Sequence, residues 1–198
     1  MLRSHVSWAY VFIGLFVLGC SQPSTKETLS LPSAANQSSE DELDSQAKQK
    51  AMRVCDELAA ELVKRLGEAM ADGGPANAIE VCSQQATQIA KLASEKNGVH
   101  VGRTSFKLRN PQNAAPSWAQ ELVERREAQP QVVRLGNNSR GVLLPIMLKP
   151  QCLACHGASE SLAPEISDKL AALYPEDQAK GFADGDLRGW FWVEIPAL

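Results

Sequence analysis

The feature that most constrains this chain is segment 152–157, in which two cysteines separated by two residues are followed at once by a histidine. This spacing is the attachment motif of a c-type haem. Each thiol adds to one haem vinyl group, and the adjacent histidine becomes an axial ligand of the iron. We therefore predict one covalent haem per chain, held by Cys152, Cys155 and His156, around which the rest of the chain must fold.

Two other kinds of site share part of this pattern. A pair of cysteines two residues apart also occurs in thioredoxin-like redox sites and in zinc sites. A zinc site needs a second ligand pair at similar spacing, and this chain, with five cysteines and three histidines, has no other close pair. A redox dithiol does not account for the immediate histidine. The haem interpretation requires export, because the motif is matured outside the cytoplasm.

The N-terminus has the pattern of a bacterial lipoprotein signal peptide over residues 1–19. Arg3 supplies a positive charge, and residues 6–18 form an apolar run shorter than the membrane span of about 20 residues. Residues 17–20 resemble a lipobox, with Cys20 as the acylated first residue of the mature chain. Because serine follows Cys20, the pattern resembles that of lipoproteins sent to the outer membrane. The alternative is an uncleaved anchor helix, and both place the domain in the periplasm.

Composition separates a tether from a domain. Residues 20–45 are rich in polar and acidic residues and proline, and they are predicted to form a flexible tether because they bury too little apolar surface to offset chain entropy. Residues 46–198 suit one domain with one core. The formal net charge is −3, and no basic cluster is present. Nucleic acid is therefore not expected as a partner.

Hydrophobic periodicity predicts two helices followed by a mixed region. Helices are expected over 46–71 and 75–97, separated by Gly73 and Gly74. The later elements are a strand over 99–109 with a bulge near Gly102, a helix over 117–128, strands over 132–135 and 142–148, a helix over 164–173 and a buried strand over 190–195. Pro145 predicts an edge or bulged position. This order favours an α+β fold with an antiparallel sheet.

Several motifs in this order resemble those of a family of single-haem c-type domains. They are Arg103-Thr104-Ser105, residues 109–111 (Arg-Asn-Pro), the haem motif, Tyr174-Pro175 and residues 185–189 (Gly-Asp-Leu-Arg-Gly). The resemblance covers 46–198 and implies a PAS-like sensor fold, found in free-standing exported proteins and in sensing domains of bacterial signalling proteins. It implies electron transfer, or sensing of redox state or a ligand, without established catalysis. Because no transmitter domain is visible, it also implies a redox or signalling protein as partner.

The second axial ligand is less constrained than His156. The available side chains of the mature chain are His100, Met52, Met70, Met147, Cys55 and Cys82. The resemblance favours Cys82, because residues 78–82 match the place where some family members carry a cysteine ligand. The alternatives are a Cys55–Cys82 disulfide, which would stabilise the fold by about 3 kcal/mol, and ligation by His100 or a methionine.

Further residues are weaker candidates for contact with the haem. Haem propionates attract cations, so Arg109 and Arg188, and also Arg103 and Lys149, are candidates for pairing with them, although each also fits ordinary surface charge. The aromatic candidates for the haem walls are Tyr174, Trp190 and Trp192, which would equally suit a plain core.

A haem enzyme of the peroxidase type is the alternative function. Such an enzyme needs an open distal site and an acid–base residue beside it. His100 is the one histidine of the mature chain besides His156 that could act there. The enzyme is therefore the less favoured of the two functions.

Overall fold

A helical hairpin and a four-stranded sheet dominate residues 34–197, the part of the chain that the computed structural model describes. The elements run in the order α1 (Ala34–Asn97), β1 (His100–Thr104), α2 (Gln120–Glu124), β2 (Gln131–Arg134), β3 (Arg140–Met147), α3 (Leu153–His156), α4 (Pro164–Leu173) and β4 (Leu187–Ile195). Short 3₁₀ turns lie in the connections. The predicted signal peptide, Cys20 and the first part of the tether lie outside the described residues. Between residues 34 and 197 no helix is both long and apolar enough to cross a lipid bilayer.

The first helix is bent into two arms at the predicted glycine pair. Gly73 and Gly74 have non-helical backbone angles, and Gly74 has φ +71°, which favours glycine. Pro75 then begins the second arm, a position that its fixed φ suits. We call residues 34–72 the N-terminal arm and residues 75–97 the C-terminal arm. The arms fold back on each other, and Lys96 Nζ reaches Glu57 Oε2 at 2.8 Å.

The helix begins at Ala34, so the prediction of a flexible tether is wrong for residues 34–45. This segment is helical because of tertiary contacts. Arg140, with only 4% of its side chain exposed, binds Glu40 and Asp44 at 2.6 Å each. Arg134 adds a 2.8 Å contact to Asp44. Burial raises the pKa of Asp44, but hydrogen bonds from the two arginines outweigh it and the pKa is lowered. The distant guanidinium groups thus hold this polar segment as a helix.

The sheet is antiparallel throughout, with strand order β1-β4-β3-β2. Alternate residues face opposite sides, as strand geometry requires. One face, with Val101, Val142 and Val193, packs against the N-terminal arm. The other face, with Leu143 and Trp190, packs against α2 and the turn before it. The predicted α+β architecture with an antiparallel sheet is therefore confirmed.

Two sequence irregularities in the sheet have different explanations. The predicted bulge near Gly102 is wrong, because β1 and β4 pair in unbroken register. Glycine is needed there because a Cβ atom would overlap the ring of Trp192. Pro145 lies in β3 beyond Leu143, the last residue paired with β2, and a register shift follows at Ile146 and Met147. Its position agrees with the prediction.

The remaining elements differ in how well their limits were predicted. Helix α4 has the predicted limits, Pro164–Leu173, whereas the helix expected over 117–128 is reduced to a 3₁₀ turn and α2. Strand β4 begins three residues before the predicted start. Along the N-terminal arm, the hydrophobic periodicity places one apolar stripe at positions 51, 55, 58, 62, 66 and 70. This stripe is buried through Leu58, while Leu66 and Met70 are exposed.

Candidate haem-binding site

The haem motif lies on a short helical segment directly after β3. A 3₁₀ turn ends at Cys152, and α3 runs from Leu153 to His156. One helical turn therefore separates the two cysteines, whose thiols are free and half-buried. Burial raises the pKa of Cys155, and the charge of Arg109 partly opposes this shift. The thiols lie at the surface of the core, where a covalently attached group has access to them.

The ring of His156 is oriented by the loop before β4. Its Nδ1 lies 2.8 Å from the carbonyl oxygen of Ala179. A carbonyl only accepts, so Nδ1 carries the proton and the Nε2 lone pair remains available to a metal. Burial, together with the charges of Arg109 and Arg188, lowers the pKa of His156 to about 3. The imidazole is therefore neutral at pH 7, as an iron ligand must be.

The same loop, residues 177–182, is joined to the motif through its main chain. The amides of Gly181 and Phe182 donate to the carbonyls of Gly157 (2.8 Å) and His156 (3.0 Å). The Phe182 ring stands edge-on to the His156 ring, with centroids 6.4 Å apart. Loop 177–182 thus fixes both the backbone and the ring of the histidine.

Three arginines surround the site with an excess of positive charge. Arg109 Nη2 donates to the carbonyl of Cys155 at 2.6 Å, and its Nε lies 3.3 Å from Asp177 Oδ2. Burial, followed by the charges of Arg109 and Arg103, lowers the pKa of Arg188 to about 10. Within residues 34–197, Arg103 and Arg188 make no salt bridge, and Arg188 Nε is buried without a hydrogen-bond partner. An anionic group such as a propionate would compensate this charge.

Cys82 lies near the motif, on the C-terminal arm. It follows Ile79 by one turn, and Ile79 packs in one cluster with Cys155. Burial raises the pKa of Cys82 above its ordinary value, and the charges of Arg103 and Arg109 only partly oppose this shift. Cys82 also acts electrostatically on Cys155. The structure therefore brings Cys82 together with the predicted haem motif and two of the arginines.

The other predicted ligands lie in different surroundings. Cys55 is buried in the core between the N-terminal arm and the sheet, and burial, with a smaller effect of Asp56, raises its pKa to about 12. Cys55 and Cys82 are both free thiols, so the alternative disulfide is not formed. His100 is exposed at the start of β1. The methionines Met52, Met70 and Met147 are also exposed.

Of the weaker candidates, Tyr174 lies beside the motif, whereas the two tryptophans and Lys149 do not. Tyr174 packs with Cys155, and the Arg109 guanidinium lies 6.0 Å from its ring centroid. Trp190 is fully buried on the α2 side of the sheet, where its Nε1 donates to Glu127 O at 2.6 Å. Trp192 packs in the same cluster, so both tryptophans belong to the core. Lys149 is exposed.

Sequence reasoning missed Asp177, Ala179 and Phe182. Ala179 acts through its carbonyl, which every residue carries, so no sequence signal marks it. Asp177 lies in a polar segment beside Glu176, and no spacing distinguishes it as buried.

The donor set fits a c-type haem. It comprises two accessible thiols at the required spacing, a neutral imidazole with Nε2 available, and a further thiol on the facing helix. The uncompensated guanidinium groups supply cations for the propionates. These residues cover each attachment that such a group needs.

Comparison with known proteins gives a family. The Tll0287-like family model matches residues 35–196. A search of solved structures gives the crystal structure of the cyanobacterial heme-protein Tll0287, at 25% identity and a TM-score of 0.49, covering 71% of this chain and 93% of that one. No curated protein matches. Since the family model spans almost all of the described residues, the chain belongs to the Tll0287-like family, and the predicted membership of a single-haem c-type domain family is confirmed.

Proposed function

We propose that this chain is an exported c-type haem protein that works in electron transfer or redox sensing. The observation that carries the proposal is that Cys82, on a separate helix, lies close enough to the motif to raise the pKa of Cys155, while Ile79, one turn before it, packs in one cluster with Cys155. Two axial donors from separate elements would give a six-coordinate iron. Such an iron changes oxidation state with little rearrangement and leaves no open position for catalysis. A PAS-like sensor fold is part of this proposal, supported by the helical hairpin and the antiparallel sheet.

Each residue has a defined role in this proposal. Cys152 and Cys155 would hold the haem by thioether bonds, and His156 would bind the iron through Nε2. Cys82 would supply a second ligand as a thiolate, whose negative charge Arg103 and Arg109 favour against the effect of burial. When bound, the haem supplies a one-electron couple. Arg188, with Arg103 and Arg109, would neutralise the propionates.

Covalent attachment is the first test. The chain is produced in a host that matures c-type cytochromes, and haem-linked staining is measured after acid–acetone extraction and denaturing electrophoresis. Staining should survive in the wild type, because thioether bonds do not dissociate, and should be lost in the double variant Cys152→Ala/Cys155→Ala. Cys55→Ala is the matched control and should stain normally. A wild-type chain that loses its stain would refute the proposal.

The location belongs to the same proposal. The lipobox-like residues 17–20 support an acylated Cys20 that anchors the domain in the periplasm, with the outer membrane as the expected site. Membrane attachment would leave the haem domain free to meet a redox or signalling protein.

The anchor is tested with Cys20→Ser. This variant should accumulate as an unprocessed precursor and take up no labelled fatty acid, because Cys20 would be both the acylation site and the new N-terminus. Cys55→Ala should be processed and labelled as the wild type is. Normal processing and labelling of Cys20→Ser would contradict the anchor.

A further inference from the structure

Asp177 is a buried carboxylate that the haem motif itself does not require. Only 2% of its side chain is exposed; one of its oxygens accepts a hydrogen bond, whereas the other has an ion pair with Arg109 but no hydrogen bond. Oδ1 accepts the amide proton of Ala179 at 2.8 Å, and Oδ2 lies 3.3 Å from Arg109 Nε. A buried carboxylate lowers the stability of a fold unless hydrogen bonds or ion pairs compensate for its lost hydration.

The peptide groups of Ala179 connect this carboxylate to the iron ligand. The amide of Ala179 is held by Asp177, and its carbonyl accepts the Nδ1 proton of His156. Arg109 connects Asp177 to the same carbonyl and to the motif. Its Nη2 donates to Cys155 O at 2.6 Å and lies 3.4 Å from Ala179 O. The side chain of Asp177 thus fixes the acceptor for the histidine from two directions.

We propose that Asp177 is a positioning residue that lowers the reduction potential of the iron by holding the Ala179 carbonyl against Nδ1 of His156. This inference rests on the proposed haem function. A hydrogen bond from the far nitrogen of a ligating histidine raises its basicity and fixes its orientation. A more basic ligand stabilises ferric iron over ferrous iron. The negative charge of Asp177 acts in the same direction, so the test must separate geometry from charge.

Two substitutions separate the two effects. Asp177→Asn removes the charge but keeps an oxygen that accepts the Ala179 amide, whereas Asp177→Ala removes both. Midpoint potentials and ferric electron paramagnetic resonance spectra are measured on the haem-loaded proteins. We expect Asp177→Asn to raise the potential moderately. Asp177→Ala should raise the potential by about 59 mV more than Asp177→Asn does, which corresponds to a tenfold weaker preference of the iron for the ferric state. It should also shift the g-values of the ferric electron paramagnetic resonance spectrum.

A control at Asp184 and a second replacement of Asp177 accompany these measurements. Asp184→Asn removes an exposed carboxylate from the same connection and should change neither measurement. Asp177→Leu, which keeps the branched side-chain skeleton of aspartate in a bulkier form without an acceptor, makes the same comparison if the alanine variant folds poorly. Equal potentials and spectra in the asparagine and alanine variants would overturn the positioning role and leave the haem function intact. A wild-type chain without covalent haem would instead end the proposed function.

Discussion

The two cysteines of the helical hairpin have contrasting surroundings, although each lies on an apolar helix stripe. Cys55, only 4% exposed, faces the valines of the sheet in the core with the N-terminal arm. Cys82, on the C-terminal arm, is half-buried and lies near Arg103, Arg109 and the haem motif. Helical periodicity identifies which face is buried, whereas the chemistry of a buried thiol depends on the element that lies opposite it.

The largest expected effect comes from removing one thiol or the other. Cys82→Ala should convert a low-spin ferric spectrum to high-spin and let carbon monoxide bind the ferrous protein, because the iron loses its proposed sixth ligand. Cys55→Ala is the matched control and should leave the optical spectrum unchanged. If both variants keep the wild-type spectrum, neither cysteine is the ligand. A spin change in Cys55→Ala alone would assign ligation to the N-terminal arm.

The second prediction concerns the reactivity of Cys55. With its pKa raised to about 12, native Cys55 should react with iodoacetamide at pH 8 about two thousandfold more slowly than an ordinary thiol of pKa about 8.5, because only the thiolate attacks. Its rate should rise about tenfold for each pH unit between 8 and 11 while the fold is intact. Labelled peptides identified by mass spectrometry measure the rate. Denatured protein should label at the ordinary rate, and fast labelling of the native protein would contradict the burial of Cys55.

The smallest effects compare two leucines of the N-terminal arm. Leu58, 1% exposed, packs in the core around Cys55, whereas Leu66 is 40% exposed. Leu58→Ala should lower the free energy of unfolding by about 3 kcal/mol, because it leaves a cavity. Leu66→Ala should change it by less than about 0.5 kcal/mol. Urea denaturation measures both, and equal losses would mean that the stripe is buried further along the arm.

Local patterns predicted the elements that depend on local contacts. Helix α4 was predictable because Pro164 starts it and Ile166 and Leu170 recur on one face. The haem motif was likewise complete in six consecutive residues. Residues 34–45 were not predictable as a helix, because their partners Arg134 and Arg140 lie about ninety residues further along the chain.

The part of the site that supports His156 was less accessible to sequence reasoning. Ala179 contributes a backbone carbonyl, and Asp177 is distinguished by its burial and by its hydrogen bond to Ala179 rather than by a motif. Gly102 interrupts the alternation of the strand in the sequence, but the reason for a glycine there, the ring of Trp192, lies on another strand. Such contacts arise only when distant segments meet.

The strand order has a consequence for the order of folding. Strand β4 lies between β1 and β3, although it follows both along the described part of the chain. The sheet therefore stays open until β4 has entered it, and a sheet of such non-local pairs closes slowly. Cys152 and Cys155 precede β4 in the chain. A chain that has been exported unfolded would therefore present both thiols to a bulky planar group during this slow stage, before the sheet is complete.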